Sequence, residues 1–306
     1  MKVMGSEPPF LRDYEQNIRT KHHDSSTQNG GSVDDVMRPL VSVITVCRNS
    51  ERTIQRTIES VLSQSYKRIE YIIIDGLSTD NTMSIIKKYD YFIKVVVSEA
   101  DCGISDAFNK GLARSSGSIV MILNSDDWIS ANFLETAVQS LVESDREFVF
   151  GDLEIFDLSG KLVGIYKGDK NYKNVILHRM PAINHPTVVC RKVVYENCGL
   201  FNTNLHYAMD YEWLCRITKS GYAGLYVQKL IGKMTLDGRS DLGFSRSLAE
   251  VRDISIAYGY SLAAAHCRYV FRVIKGYVRR RLEEFAPRVV VNWIRLRLNR
   301  DYFPKG

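Results

Sequence analysis

The chain has 306 residues, of which 45% are hydrophobic, and it carries a net charge of +6 at neutral pH. This composition fits a globular α/β protein with one substantial core, and it excludes a disordered or fibrous chain. The longest uncharged window, Ile254 to Cys267, is fourteen residues long and contains Ser, Tyr and Gly, so it is too short and too polar to span a bilayer.

The positive charge is concentrated near the end of the chain. From Arg246 onward there are thirteen Lys and Arg against five Asp and Glu, a balance of +8, so the remainder of the chain is slightly acidic. The six cysteines show no C-x-x-C spacing and several lie in apolar runs. We therefore expect reduced thiols in a cytosolic compartment, with no disulfides and no zinc site.

Residues 1–39 show no sustained periodicity and contain a Ser-, Asn- and Gly-rich run, so we predict a flexible tail. Apolar strands then alternate with amphipathic helices. The predicted strands are Val41 to Cys47, Ile69 to Ile74, Phe92 to Val97 and Ile119 to Leu123. This alternation indicates βαβ units and a parallel sheet with helices on both faces.

Beyond residue 128 the elements become shorter and more mixed. We predict a helix, a strand starting at Phe148 and a hairpin turning at Ser159-Gly160, followed by a rigid loop around His185 and a helix opened by Asp210. From Ser245 onward the pattern is helical and basic. These changes divide the chain into a first half (40–128), a second half (129–240) and a helical extension (241–306).

Polar side chains cluster where the predicted parallel strands end, which is where open α/β sheets bind their ligands. They are Thr45, Asn49, Asp75, Glu99, Asp101, Asn124, Asp126 and Asp127. Helix capping alone would not need acids at three successive strand ends. The pattern therefore favours a site for a divalent cation and a nucleotide diphosphate, although a solvated capping turn is the alternative for the Asp126-Asp127 pair.

Five segments resemble the family 2 glycosyltransferases with a GT-A fold, in particular those that build bacterial surface polysaccharides. The segments are residues 42–49, 72–80, 98–111, 123–127 and 209–212, and they occur in the family's order. The resemblance implies a Rossmann-like, mixed but mainly parallel sheet. It also implies that residues 40–128 form a nucleotide-binding half and residues 129–240 an acceptor half of one catalytic domain.

The resemblance assigns roles to individual positions. Asp75 would accept a hydrogen bond from the nucleotide base, and further donor contacts would come from Thr45, Asn49, Asp101, Lys110, Asp126 and Arg239. Mg²⁺ or Mn²⁺ would be held by Asp126, Asp127 and Asn124. Because Asn124 replaces an acid of the family motif and adds no negative charge, cation affinity would depend on the bound nucleotide.

Asp210 matches the acid of the family's Glu-Asp motif, with Met209 in place of the Glu. That carboxylate is the family's general base: it takes the proton of the acceptor hydroxyl, whose oxygen attacks the anomeric carbon from the face opposite the nucleotide and so inverts that carbon. His185, Glu212 and Trp213 are weaker acceptor-side candidates. The alternatives are ordinary ones: a helix cap for Asp210, and loop or surface positions for the other polar candidates.

The function implied is an inverting, metal-dependent glycosyltransferase that moves sugar from a nucleoside diphosphate, with UDP favoured, to a lipid-carrier-linked or polysaccharide hydroxyl. A sugar nucleotidyltransferase would need a Gly-rich loop after the first strand, and Cys47 to Ser50 contains no glycine. A non-catalytic carbohydrate- or membrane-binding module would not need to keep Asp126, Asp127 and Asp210 together.

The basic extension interleaves Arg and Lys with apolar and aromatic residues at helical spacing. This pattern suits a helix lying at the surface of an anionic membrane, and a solvated helix exterior is the alternative. No nucleic-acid-binding motif is present, so nucleic acid is not an expected partner. We therefore expect a cytoplasmic protein at the inner face of the membrane.

Overall fold

The first half of the chain folds as a parallel sheet. In a computed structural model, residues 38–179, 181–235 and 243–285 are described. The strands of this half are β1 (Val41–Cys47), β2 (Ile69–Asp75), β3 (Val95–Ser98) and β4 (Ile119–Asn124), and all three pairings among them are parallel. The helices between them are α1 (Ile54–Leu62), α2 (Thr82–Ile86) and α3 (Ile104–Arg114).

The third strand and the helix before it differ from the sequence-based prediction. α2 is short and passes into a 3₁₀ segment, Lys87–Phe92, so the strand begins at Val95 and not at Phe92. Phe92 is taken up in that segment, where its ring packs edge-on against Tyr91 with the centroids 5.3 Å apart. The apolar character of Phe92 therefore serves local packing and not strand pairing.

The second half adds antiparallel and parallel strands to the same sheet. It contains β5 (Trp128–Ile129), α4 (Phe133–Glu143), β6 (Phe148–Phe156), β7 (Leu162–Tyr166), α5 (Tyr172–Val175), β8 (Val189–Arg191), α6 (Lys192–Cys198), α7 (Met209–Lys219) and β9 (Gly224–Thr235). Within the described residues the strand order is β3-β2-β1-β4-β8-β6-β9-β5, with β7 beside β6. The predicted mixed, mainly parallel α/β fold is confirmed.

The long strand β9 was not predicted from the sequence. It runs parallel to β6 and shifts register where Gly151 faces Leu230. A Cβ added at Gly151 would lie 1.9 Å from the Leu230 carbonyl oxygen, so only glycine permits this approach of the two backbones. Two glycines and two lysines inside β9 hide its pairing from any alternation of apolar and polar residues.

The sheet carries a core on each face, because successive side chains of β1 point to opposite sides. Val41 and Val43 pack in the same core as the apolar faces of α1 and α4, whereas Ile44 and Val46 share the other core with α3 and α7. Helices therefore cover both faces, as predicted. The six cysteines all lie in described segments, and no two of them are joined in a disulfide there.

Two helices follow the sheet, which confirms the predicted helical extension. They are α8 (Phe244–Ala257) and α9 (Leu262–Phe285), and they approach closely at Gly276, where an added Cβ would lie 2.2 Å from the Phe244 ring. No described helix is long and apolar enough to cross a membrane. The predicted tail (1–39) lies outside the described residues except for its last two positions, and the predicted domain limits stay a prediction.

A buried carboxylate anchors the sheet at the edge where the parallel strands begin. Glu70 of β2 is 8% exposed and accepts hydrogen bonds from the Ser42 hydroxyl, from the amide and hydroxyl of Ser116, and from the Gly117 amide. Burial by itself would raise the pKa of Glu70, but these hydrogen bonds outweigh burial and hold that pKa below its ordinary value.

We predict that Glu70→Gln lowers the free energy of unfolding by roughly 2 kcal/mol at pH 7, because an amide cannot accept all of these hydrogen bonds. A lowered folded-state pKa adds stability above the ordinary glutamate pKa of about 4.3, and that stability is lost as the pH falls through the folded-state value. Urea unfolding should therefore show the largest loss above about pH 5. Glu196→Gln, at an exposed helical position, is the control. If both variants lowered the free energy of unfolding equally, the stabilising role of Glu70 would be contradicted.

Candidate active site

An open cavity of about 1270 Å³ lies at the carboxyl edge of the parallel strands. Its walls come from the loop after β1, the β4–β5 turn, the β6–β7 hairpin, residues 181–186, and helices α7, α8 and α9. The cavity brings together seven of the residues that the sequence singled out: Asn49, Asp101, Asn124, Asp126, Asp127, His185 and Asp210. The first five of these residues follow the ends of parallel strands, and parallel pairing brings successive strand ends to one edge of the sheet.

The acidic turn between β4 and β5 is held in place by α1. The Thr57 hydroxyl lies 2.9 Å from the Ser125 carbonyl oxygen and 2.7 Å from that of Asp127, and it can donate to either. The Ser50 and Ser125 hydroxyls are 2.8 Å apart. The turn is therefore a fixed structure in which the two aspartates have defined positions, and it does not cap the following helix, α4, whose N-cap residue is Asn132.

Asp127 is buried with its charge poorly compensated. Burial, and then the neighbouring Asp126 carboxylate, raise the pKa of Asp127 well above its ordinary value, while the Asn124 amide and the Arg56 guanidinium oppose the shift. The Asn124 amide nitrogen donates to Asp127 Oδ2 at 3.2 Å. The other end of the same amide, Asn124 Oδ1, is buried and has no hydrogen-bond partner among the described residues.

These three oxygen-bearing side chains fit a divalent cation. Two adjacent carboxylates and an unpaired amide oxygen supply hard donors, and a cation would relieve both the crowding of charge and the unpaired oxygen. The described part of the chain contains no group of three or more His, Cys, Asp or Glu placed to hold a metal ion. Two carboxylates and one amide oxygen are a donor set of the kind that holds Mg²⁺ or Mn²⁺ when phosphates of a ligand supply further oxygens.

Arg56 is the residue at this site that sequence reasoning missed. Its guanidinium lies 3.5 Å from the centroid of the Trp128 ring, and its Nη2 donates to the Asp126 carbonyl oxygen at 3.2 Å and to Thr235 Oγ1 at 3.0 Å. Its Nε–H is buried without a partner among the described residues. In the sequence Arg56 is an ordinary polar position of a helix, and only the placement of that helix beside the turn gives it a role.

Two predicted donor residues shape the cavity floor. Asn49 has a left-handed φ of 51°, and its Oδ1 accepts a hydrogen bond from the Thr79 amide at 2.8 Å, which ties the loop after β1 to the loop after β2. Asp101 lies over Gly76, where an added Cβ would come 2.1 Å from Asp101 Oδ2. Gly76 therefore gives the Asp101 carboxylate its place at the cavity.

Three other predicted donor residues do not line the cavity. Asp75 is fully buried and accepts hydrogen bonds from the hydroxyls of Ser78 and Ser98 at 2.5 and 2.6 Å. Thr45 is also fully buried and accepts from the Tyr71 hydroxyl at 3.0 Å. Lys110 forms ion pairs with Asp106 at 3.1 Å and with Glu99 at 3.3 Å. Arg239, the last of the predicted donor residues, lies outside the described residues.

Asp210 is not the N-cap residue of its helix. The N-cap residue of α7 is Ala208, which has no side-chain acceptor. The Glu250 carboxylate of α8 accepts from the backbone amides of the three residues that precede α7, His206, Tyr207 and Ala208, at 3.0, 2.9 and 2.8 Å. The Asp210 carboxylate accepts from the Tyr211 amide at 2.7 Å and also lines the cavity.

His185 is the neighbour of Asp210 on the cavity wall. Its ring is buried near Phe108 and Phe201, with centroid distances of 6.0 and 6.2 Å. Burial lowers the pKa of His185, and the Asp210 carboxylate opposes the shift. A neutral imidazole therefore stands beside Asp210 at neutral pH.

The two remaining acceptor-side candidates on α7 do not line the cavity. Glu212 pairs with Arg216 at 3.0 Å and accepts from the Tyr258 hydroxyl at 2.6 Å. Trp213 is fully buried and stacks on Tyr195 with the ring centroids 4.4 Å apart. Both residues lie close to Asp210 in sequence, but the turn of the helix directs them into the protein.

Comparison with known proteins gives matches to transferases. The family described as Glycosyl transferase family 2 matches residues 42–199. An uncharacterized glycosyltransferase of Haemophilus influenzae is 31% identical over 210 residues, covering 63% of this chain and 64% of that protein. The Escherichia coli UDP-Glc:alpha-D-GlcNAc-diphosphoundecaprenol beta-1,3-glucosyltransferase WfgD is 35% identical over 132 residues, covering 42% of this chain and 52% of that protein. The chain thus spans less than two thirds of the length of either relative.

Among solved structures, the mannosyltransferase PcManGT of Pyrobaculum calidifontis, in complex with GDP-Man and Mn²⁺, superposes with a TM-score of 0.58. It is 17% identical, and the match covers 90% of this chain and 83% of that one. At this identity the likeness shows a shared GT-A fold.

The electrostatics of Asp127 lead to a prediction in the absence of any ligand. Because the folded-state pKa is raised, ionised Asp127 destabilises the fold above the ordinary aspartate pKa of about 3.9. In EDTA, Asp127→Asn should raise the melting temperature at pH 8 by about 2 °C or more, and the gain should disappear toward pH 4. The exposed Asp145→Asn is the control, and a lower melting temperature of Asp127→Asn at pH 8 would refute this account.

Proposed function

The chain belongs to glycosyl transferase family 2, and we propose that it is an inverting, metal-dependent enzyme that transfers sugar from a nucleoside diphosphate to a hydroxyl acceptor. The observation that carries the proposal is the common cavity of the Asp126–Asp127 turn and Asp210. The two parts serve different chemical needs, since the turn suits the diphosphate leaving group and Asp210 suits proton removal from the acceptor.

On the donor side, Asn124, Asp126 and Asp127 would hold Mg²⁺ or Mn²⁺. When bound, the cation supplies positive charge that stabilises the departing diphosphate. Arg56 supports the same end, because its guanidinium lies against this turn and adds a fixed positive charge. UDP is the favoured nucleotide, in line with the UDP-Glc in the name of the Escherichia coli relative. Asn49 and Asp101 are proposed donor contacts on the cavity floor.

On the acceptor side, Asp210 is proposed as the general base. A carboxylate is a weak base toward an alcohol, so the proton must leave as the new glycosidic bond forms. The buried His185 lies beside Asp210 on the cavity wall, and burial lowers the pKa of that histidine, so the imidazole next to the proposed base is neutral. The acceptor hydroxyl would attack the anomeric carbon from the side of Asp210, while the turn holds the diphosphate on the other side. This geometry would invert the anomeric carbon.

Asp75, Thr45 and Lys110 do not line the cavity, so we propose that they support the residues that do and make no direct contact with the donor in this arrangement. Asp75 organises the loop after β2 through the hydroxyls of Ser78 and Ser98, and this loop meets Asn49 and Glu51. A contact of Asp75 with the nucleotide base requires a change in those hydrogen bonds. Glu212 acts indirectly, since it ties α7 to α8 through Tyr258.

The acceptor is proposed to be lipid-linked or a growing polysaccharide, at the inner face of a membrane. Helix α9 exposes a row of large apolar side chains: Val270, Phe271, Ile274, Tyr277 and Val278. With the basic residues of the same helix, this face has the composition of an interfacial membrane helix. The diphosphoundecaprenol acceptor in the name of the Escherichia coli relative is of the same class.

A thermal-shift screen tests donor binding. In Mn²⁺, one class among UDP-, GDP-, CMP- and dTDP-sugars should raise the melting temperature by roughly 5 °C at saturating concentration, because a ligand of the folded state stabilises it by mass action. EDTA or Asp126→Ala should remove the shift. If no sugar nucleotide stabilises the protein in Mn²⁺, the proposal fails.

The base is tested by Asp210→Asn, which keeps the shape of the side chain but cannot accept a proton. We expect sugar transfer to fall by a factor of at least about 10², the typical range for loss of a general base, with the Mn²⁺-dependent donor shift unchanged. Asp145→Asn, an equally conservative change at an exposed position, should transfer at the wild-type rate. Wild-type transfer by Asp210→Asn would exclude Asp210 as the base.

A further inference from the structure

Four arginines converge on a narrow cleft beside the cavity. The cleft lies between residues 177–179 and the helices α8 and α9, and its cationic lining is Arg179, Arg252, Arg268 and Arg272. Arg179 lies in a loop, Arg252 lies on α8, and Arg268 and Arg272 lie on successive turns of α9. The cluster therefore exists only in the folded protein. None of the four was singled out by the sequence motifs as part of a site.

The cluster is only partly neutralised. Arg179 pairs with Asp169 and Arg252 pairs with Asp253, each at 2.7 Å. Arg268 is exposed and forms no ion pair with any described residue. From residue 254 to residue 282 the chain has six Lys and Arg and no Asp or Glu, so the part of α9 that lines the cleft brings no counter-charge of its own.

The surplus positive charge acts on a neighbouring titratable group. His178 lines the same cleft and stacks on Tyr260 with the ring centroids 5.8 Å apart. Burial lowers the pKa of His178, and the positive charges of Arg268 and Arg179 lower it further. The cleft therefore disfavours an added positive charge and favours an anion.

The cleft adjoins the catalytic cavity on its proposed acceptor side. Tyr211, Leu248, Val251 and Arg272 line both the cleft and the catalytic cavity. Tyr211 is the residue after Asp210, the proposed base. An anion held by the arginines would thus lie next to the acceptor side of the cavity, with the apolar Leu248 and Val251 between the two.

We propose that this arginine cleft binds a phosphate or diphosphate group belonging to the acceptor or to the lipid surface that carries it. The inference rests on the proposed function, since it names the chemistry of the acceptor for the same cavity. Guanidinium groups bind phosphate oxygens through paired charge-assisted hydrogen bonds, and Arg268, which forms no ion pair with any described residue, has donors left for a ligand. The apolar wall beside them suits the hydrocarbon part of an amphipathic phosphate ester.

The first test uses inorganic pyrophosphate as the probe. Calorimetric titration in EDTA and at low salt removes the contribution of a cation at the acidic turn. Arg268→Gln should weaken pyrophosphate binding at least about fivefold, as expected for the loss of one arginine–phosphate contact. Lys275→Gln removes the same charge from the same helix outside the cleft and should have little effect. Circular dichroism checks that both variants are folded.

The second test separates the two sources of the phosphate. Sedimentation with phosphatidylcholine vesicles, with and without phosphatidylglycerol, measures headgroup binding by the full chain. If Arg268→Gln impairs binding to the anionic vesicles more than Lys275→Gln does, the headgroup is the source. If it impairs pyrophosphate binding alone, the acceptor's own diphosphate is the source. Equal behaviour of the two variants in both assays would overturn the proposal.

The proposed transfer reaction is judged separately. The Mn²⁺-dependent stabilisation by a sugar nucleotide should be the same in Arg268→Gln, Lys275→Gln and wild type, because neither residue lines the cavity. Failure of that stabilisation in the wild type would count against the transferase. The pyrophosphate result in EDTA would still decide whether the cleft binds phosphate.

Discussion

The parallel register of four strands is the constraint on which the rest of the site depends. Cys47 is paired with Asp75, Asp75 with Ser98, and Val46 with Asn124, so the ends of β1 to β4 meet at one edge. Loops that are up to about eighty residues apart in the sequence are thereby placed side by side. Their polar groups hydrogen-bond to one another, as the contact between Asn49 and Thr79 illustrates, and this gives the cavity a rigid floor.

At this edge the protein tolerates an unfavourable concentration of charge. Asp126 and Asp127 are adjacent, and Asp127 is buried, which the fold alone would not favour. Arg56 on one side and the Thr57 hydroxyl on the other hold the turn, yet an amide oxygen of Asn124 remains unpaired. A site that is incomplete in its hydrogen bonding and crowded in its charge is suited to bind a cation together with a phosphate ligand, because binding removes both costs.

The C-terminal helices are part of the site. Glu250 of α8 accepts from the backbone amides that precede α7 and so fixes the segment that leads into Asp210. Phe244, Leu248 and Val251 of α8 and Arg272 of α9 form part of the cavity wall. The basic charge of this region, which from sequence alone suggested only a surface function, therefore also reaches the proposed acceptor side, where it makes the arginine cleft.

The sequence by itself determined the first half of the fold and most of the acidic turn, because apolar strands and amphipathic helices leave a strong local pattern and motif residues follow directly after strands. It did not reveal β9, whose pairing depends on close contacts at Gly151 and Gly232 with residues distant in sequence. Nor did it reveal Arg56, Glu250 or the arginine cleft. Their partners lie on other elements, and only the tertiary structure brings those elements together. The same reason separates Asp210 from Glu212 and Trp213: one sequence segment carries all three, but the packing of α7 turns only Asp210 toward the cavity.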